Sequence, residues 1–131
     1  MLLVVTGGRK YTDIQSVWAE LDMLHKRMPI TKLRHGDAGG VDKICQGWAR
    51  ARGIPDEPFP AHWDNLHAPD AKIRYNAKGP YNANAGHYRN QLMLDCNPKP
   101  DHAIVFPGGA GTMDMFRRIK KSGIDYTLAE K

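Results

Sequence analysis

Cysteine is scarce in this chain: 131 residues carry two, Cys45 and Cys96. They stand far apart, form no C-x-x-C pair and fall in segments with helical patterning, so buried reduced thiols are expected and not a disulfide. The six histidines are scattered without a zinc-like spacing, so no metal and no cofactor is expected. No apolar run approaches the roughly 20 residues that span a bilayer, which excludes a transmembrane helix. The opening Met1-Leu2-Leu3-Val4-Val5 turns polar at once and reads as a first strand, not a signal peptide; a cytoplasmic setting is expected. Charge of one sign is never massed. The net charge of +5 and pI of about 9.3 suit a nucleic-acid surface or a small polyanion equally. The one dense patch, Arg117-Arg118-Lys120-Lys121, lies near a helix C-terminus, where cations complement the macrodipole.

Several chemical signatures are missing as well. There is no G-x-x-x-x-G-K-[ST], which removes a P-loop nucleotidase. No G-x-G-x-x-G opens the first helix with an acidic residue some twenty positions on, which argues against a common dinucleotide dehydrogenase. No G-x-S-x-G nucleophile elbow is present either.

What the chain does have is a balance of 41% hydrophobic and 25% charged residues, that of an ordinary globular domain, and its length predicts one domain over residues 1–131. Leu2 to Val5 is a short apolar run rich in β-branched residues, as in a central parallel strand. Thr6-Gly7-Gly8-Arg9 follows it. Asp13 can then cap a helix carrying Ile14, Val17, Trp18, Leu21, Leu24 and Met28, which Pro29 ends. Lys32 to His35 is a second strand entering Gly36-Asp37-Ala38-Gly39-Gly40, followed by a helix with Val41, Ile44, Cys45, Trp48 and Ala49 on one face. Gly53 can cap that helix and Pro55 forbids its continuation.

Asp56 to Ala61 reads as an edge strand. From Trp63 to Ala85 no period is visible, and a loop this long in a compact domain is commonly functional, as a lid or an interface arm. His87 to Cys96 reads as a helix with Tyr88, Leu92 and Cys96 on one side. His102 to Phe106 is a further strand. It runs into Pro107-Gly108-Gly109-Ala110-Gly111-Thr112 and a helix with Met113, Phe116 and Ile119 inward. Gly123 closes that helix, and Asp125 to Ala129 supplies a last strand.

This βα alternation predicts an α/β, Rossmann-like three-layer sandwich with a mainly parallel sheet flanked by helices. Ligands in such sheets bind beyond the carboxyl ends of the strands. The glycine turns after the first, second and penultimate strands all fall there. A strand, a glycine turn and a helix together expose backbone N–H groups to a phosphate or carboxylate. Candidate ligand-binding residues are therefore Thr6, Gly7, Gly8 and Arg9; His35, Gly36, Gly39 and Asp42; and Pro107, Gly108, Gly109, Gly111 and Thr112. Arg89, placed in the first turn of its helix beside Asn90, suits a phosphate, or a surface ion pair with Asp95. Asp42 can bond a ribose hydroxyl or cap free N–H groups. His35 can polarise a base or phosphate, or serve as a structural hydrogen bond. Trp63 and Tyr75 can stack on a base, or pack into a core or lid.

Thr6 to Tyr11 (T-G-G-R-x-Y), His35 to Asp42 (H-G-x-A-x-G-x-D), Arg89 to Met93 (R-N-x-x-M) and Phe106 to Met115 (F-P-G-G-x-G-T-x-D-M) occur in this order over nearly the whole chain. Together they resemble the SLOG superfamily, and within it the small single-domain branch found in phages and bacteria. The resemblance implies a Rossmann-like fold and a homo-oligomer, dimer or larger. It also brings in relatives of different kinds: the Lonely Guy phosphoribohydrolases, which cleave nucleoside 5′-monophosphates to base and ribose 5-phosphate; domains that bind nucleotide-derived signals; and the DNA-processing protein A family. Carried over by position, Gly108, Gly109, Gly111 and Thr112 match the hydrolases' phosphate turn and Arg89 matches their arginine, with Asn90 in place of lysine. Their glutamate position is Met115 here, and a thioether can neither stabilise an oxocarbenium-like centre nor position water.

The expectation is thus a protein that binds a phosphate-bearing nucleotide-derived small molecule, as sensor, sequestering or processing protein. The alternative is a divergent phosphoribohydrolase with Arg89 and Asp114 catalytic. A further alternative is a single-stranded nucleic-acid-binding module.

Overall fold

The structure is a computed structural model, and it describes residues 1–129. Five parallel strands form one sheet in the order β3-β2-β1-β6-β7: β1 (Leu2–Thr6), β2 (Lys32–His35), β3 (Asp56–Pro58), β6 (His102–Val105) and β7 (Asp125–Leu128). A separate antiparallel hairpin pairs β4 (Ile73–Asn76) with β5 (Gly79–Asn82). The helices are α1 (Ile14–Arg27), α2 (Val41–Ala51), α3 (Ala85–Asp95) and α4 (Ala110–Ser122).

Alternation along the central strands splits the core in two. Leu3 and Val5 of β1, with Ile104 and Phe106 at β6, face α1 and α2 and pack against Val17, Leu21, Leu24, Cys45 and Trp48. Val4, Ala103 and Val105 face the other way, against Met93, Leu94, Met115 and Ile119 of α3 and α4. The result is the Rossmann-like three-layer α/β sandwich, with β1 and β6 buried on both faces. Trp48 is fully buried, and its indole N–H donates to Asp22 Oδ1 at 2.8 Å, as a buried polar tip requires.

The local signals act as anticipated at most element ends. Asp13 caps α1, its Oδ1 accepting from the Ser16 N–H at 3.1 Å. Gly53 turns the chain out of α2 at φ +70 and Gly123 ends α4 at φ +83, both in the left-handed region. Cys45 and Cys96 are free thiols, and burial pushes Cys45 well above the usual thiol range. No described helix is long and apolar enough to cross a membrane.

Four readings need correction. The stretch after Trp63 is not all loop: it contains the β4–β5 hairpin, whose first strand is exposed at every residue and so shows no alternation. The third strand is shorter than expected, ending at Pro58. In α3, Tyr88 and Leu92 are exposed, while Ala85, Arg89, Asn90, Met93 and Leu94 face inward. In α4, Met113 is 48% exposed and Met115 takes the core position.

Candidate functional site

The ends of β1 and β6 are neighbours at the centre of the sheet, with the chain leaving them towards opposite edges. That is the topological switch point at which an open α/β sheet leaves a crevice. The turns that leave these strands are locked to each other. Gly8 N–H donates to Pro107 O at 2.8 Å, and Gly8 O accepts from the N–H groups of Val41 at 3.1 Å and Tyr11 at 3.3 Å. One residue, through its N–H and its C=O, therefore joins the turn after β1 to the turn after β6 and to the start of α2. The close approach demands glycine at position 40, which lies at φ +67 and where a Cβ would collide with the carbonyl oxygen of Gly8.

Between these turns and α3 lies a cleft of about 720 Å³, within the ~300–1,000 Å³ typical of small-molecule sites. Of the residues anticipated from sequence it brings together Thr6, Gly7, Gly8, Arg9, Gly36, Asp42, Arg89, Asn90, Pro107, Gly108, Gly109, Gly111 and Thr112. His35, Gly39 and Asp114 are not in its lining. Lys10, Tyr11, Ala38, Trp63, Gly86, His87 and Met93 are.

The N-terminus of α4 opens into this cleft. Its N-cap, Gly109, supplies no side-chain cap, and the first turn holds no acidic residue. The first intrahelical bond is from Met113 N–H to Gly109 O at 3.0 Å, so the preceding amides at Ala110, Gly111 and Thr112 have no intrahelical acceptor. Gly109 and Gly111 have open space where a Cβ would stand, which lets a ligand approach the backbone. By contrast, the amide of Val41 at the start of α2 is already taken by Gly8 O. The charged residues among the described residues around the cleft are mainly cationic, with Arg9, Lys10 and Arg89 against the carboxylate of Asp42.

Asp42 is buried at the cleft. Its Oδ2 accepts from the N–H groups of Gly36 and Ala38, each at 3.2 Å. Burial raises its pKa, opposed by the Ala38 N–H and by the His35 and Arg89 side chains. This carboxylate shapes the turn after β2, bonding amides of that turn and not those of the first turn of α2.

Arg89 lies in the second turn of α3, not the first, and is 9% exposed. Nε donates to Asn90 Oδ1 at 3.0 Å, and Nη1 donates to Gly36 O and to Phe59 O at 3.3 Å. It ties the ends of β2 and β3 to α3, and Nη2 makes no hydrogen bond to the described residues. Burial pulls its pKa down while the Asp42 carboxylate opposes that fall.

His35 is fully buried under the turn, with Nδ1 accepting from Asp37 N–H and Nε2 3.0 Å from Asp56 Oδ2. Those partners make it a structural link. Its hydrogen bond leads the causes that hold Asp56 at about 2, with Gln46 and Arg50 adding to it against burial.

Asp114 lies in the α3–α4 seam, outside the cleft lining. Oδ2 accepts from Arg118 Nε at 2.9 Å and Asn90 Nδ2 at 3.1 Å, and Oδ1 lies 3.0 Å from His87 Nδ1. Burial alone would raise its pKa, yet the hydrogen bonds from Arg118, Asn90 and His87 outweigh that and hold it at about 2. Met115, the glutamate position of the hydrolases, is fully buried under the sheet. A rotation of about 100° per residue puts these neighbours on different faces. Asn90 joins Arg89 and Asp114, and its Nδ2 also reaches Gly111 O at 3.4 Å.

Sequence reasoning missed His87 and Lys10 as cleft residues. His87 stood beside Arg89 in a recognised stretch, and only the start of α3 at Ala85 turns it to the cleft. Of the aromatic candidates, Trp63 forms a cleft wall, whereas Tyr75 is 76% exposed on the hairpin. Among the described residues, no group of three or more His, Cys, Asp or Glu side chains is placed to hold a metal ion.

Comparison with protein families finds a match over residues 1–66 to the family described as YAcAr: YspA, cpYpsA-related SLOG family. The match spans half of the chain, from β1 past β3 to the start of the Trp63 segment, and includes the glycine turns after β1 and β2. A comparison with curated proteins finds no match.

Proposed function

The chain belongs to the YspA, cpYpsA-related SLOG family, and from that premise we propose that it binds a phosphate-bearing nucleotide or nucleotide-derived small molecule at the carboxyl edge of its sheet. Family membership supports a nucleotide-related function in general; the particular site and ligand class are inferred from geometry. The observation that carries the proposal is the uncapped N-terminus of α4, opening into a cleft of about 720 Å³ among cationic side chains. A phosphate at Ala110 to Thr112 accepts from backbone amides that have no partner among the described residues and meets the positive end of the helix dipole. Arg89 Nη2 is a further donor from the facing wall. Thr112 is buried with its Oγ1 beside Gly108, and the Thr6 to Arg9 turn closes the cradle from below.

Binding is favoured over glycosidic cleavage by the position of the carboxylates. Asp114 lies outside the cleft lining and is bound by Arg118, Asn90 and His87, and Asp42 holds two backbone amides through Oδ2. The protein on this reading holds its ligand as a sensor or sequestering module in a homo-oligomer. Isothermal titration with mono-, di- and cyclic nucleotides and ADP-ribose tests it: binding of at least one is expected, and heats equal to dilution throughout contradict it. Release of free base during the same incubations, abolished in Asp114→Asn, would instead favour a phosphoribohydrolase. Affinity for single-stranded DNA that falls steeply with salt would favour the nucleic-acid module.

A further inference from the structure

The Trp63 ring is fixed on the cleft wall from several directions. Its backbone carbonyl accepts from the Asn82 N–H at 2.6 Å. Tyr81 of β5 meets it edge-on, with centroids 6.3 Å apart and planes at 70°. Gly86, in the first turn of α3, seats it: a Cβ there would stand 2.8 Å from Trp63 Cη2. An indole that needs a glycine beneath it and an aromatic edge beside it is held in one orientation.

What covers the ring is held much less firmly. The Arg9 guanidinium carbon lies 5.3 Å from the Trp63 centroid. Arg9 is an exposed residue of the turn after β1, and among the described residues its guanidinium has no hydrogen-bond or ion-pair partner. The other arginines stacked on rings differ. Arg34, over Phe59, also bonds Glu57 and the carbonyls of Met93, Cys96 and Pro98. Arg52, over Trp18, is fixed by both Asp22 oxygens. Of the three arginines stacked on rings among the described residues, Arg9 alone can leave its ring without breaking an ion pair or hydrogen bond.

We propose that the Trp63 face beneath Arg9 is the subsite for a planar aromatic base, so that the ligand is a nucleoside phosphate whose base is sandwiched between indole and guanidinium. The inference rests on the phosphate site at α4 and adds the other end of the ligand. Two van der Waals layers need about 7–8 Å between flanking planes. Arg9 therefore has to withdraw by roughly 2–3 Å from its present 5.3 Å, a movement open to an exposed side chain with no other hydrogen-bond or ion-pair partner among the described residues. The base then gains a stack on one face and a cation–π contact on the other. No base-edge donor or acceptor enters this reading, so the subsite selects for an aromatic plane.

The test titrates wild type, Trp63→Ala and Trp63→Phe with adenosine 5′-monophosphate and with ribose 5-phosphate. Wild type is expected to bind the nucleotide at least about tenfold more tightly than the sugar phosphate. Trp63→Ala should erase that ratio and leave ribose 5-phosphate affinity unchanged, which also shows that fold and phosphate cradle survive. Trp63→Phe should keep most of the ratio. Gly86→Ala, which forces the ring from its seat, should behave like Trp63→Ala. An unchanged ratio in Trp63→Ala, or an equal loss for both probes, overturns the base subsite. Failure of wild type to bind either probe overturns the phosphate site and this inference with it.

Discussion

Gly8 N–H donates to Pro107 O across 2.8 Å, joining the turn that follows β1 to the turn that follows β6. The carbonyl of the same residue accepts from Val41 and Tyr11, so the geometry of the cradle depends on a backbone hub and not on a side chain. Gly40 makes the hub possible, since its left-handed φ of +67 and its contact with Gly8 O both forbid a Cβ. Gly40→Ala is expected to cost about 2–4 kcal/mol in urea denaturation, combining backbone strain with a backbone clash. Gly109→Ala is the informative contrast. Its Cβ enters open space, so stability should change by less than about 1 kcal/mol, while nucleotide affinity falls because the methyl group stands where the phosphate approaches.

Acid should weaken the α3–α4 seam through Asp114. Its folded pKa of about 2 lies below the ordinary 3.8. A depressed carboxylate stabilises above its unfolded pKa, and that contribution is lost as pH falls through the folded value. The gap is worth about 2 kcal/mol at neutral pH. Asp56, also held at about 2, acts in the same direction at the edge of the sheet. Buried Asp42, whose pKa is raised, acts oppositely: it opposes folding at neutral pH and ceases to do so once protonated. Asp114→Asn should lower the urea midpoint at pH 7, and the gap to wild type should be smaller at pH 3. A gap independent of pH would show that the seam does not depend on the Asp114 charge.

Arg89 couples structure to ligand, and its variants should separate the two roles. Arg89→Ala strands the carbonyls of Gly36 and Phe59 and leaves Asp42 without its nearby guanidinium. A loss of about 3 kcal/mol is expected from such a deletion. Arg89→Lys keeps the charge but cannot reach Gly36 O, Phe59 O, Asn90 and a ligand together. Thermal melts should place Arg89→Lys between wild type and Arg89→Ala, with nucleotide affinity reduced in both. A fully stable Arg89→Ala would contradict the tie between β2, β3 and α3.

The parts of the fold that were legible in the sequence are those where burial is one-sided or complete. β1 and β6 are apolar at almost every position because both faces of the sheet are covered. α1 and α2 show their period because each buries one stripe of apolar residues. α3 was harder to orient because its inward face carries Arg89 and Asn90, polar residues satisfied only by partners distant in sequence, and a hydrophobic pattern cannot reveal them. The β4–β5 hairpin was invisible for the opposite reason, since Ile73 to Asn76 are all exposed. At the site, the glycine turns could be read because backbone approach requires glycine. The fate of Asp114 could not be, because Met113 and Met115 are equally apolar. Only packing decides which of them enters the core, and hence which way Asp114 faces.

The most direct test of the central claim is an amide NMR titration of the assigned protein with adenosine 5′-monophosphate. The account predicts that the largest saturable shifts fall on the amides of Gly109 to Thr112 at the start of α4, with smaller ones at Gly7 to Arg9. Saturable shifts confined to the exposed hairpin or the α4 C-terminus, or no shifts at millimolar nucleotide, would contradict it.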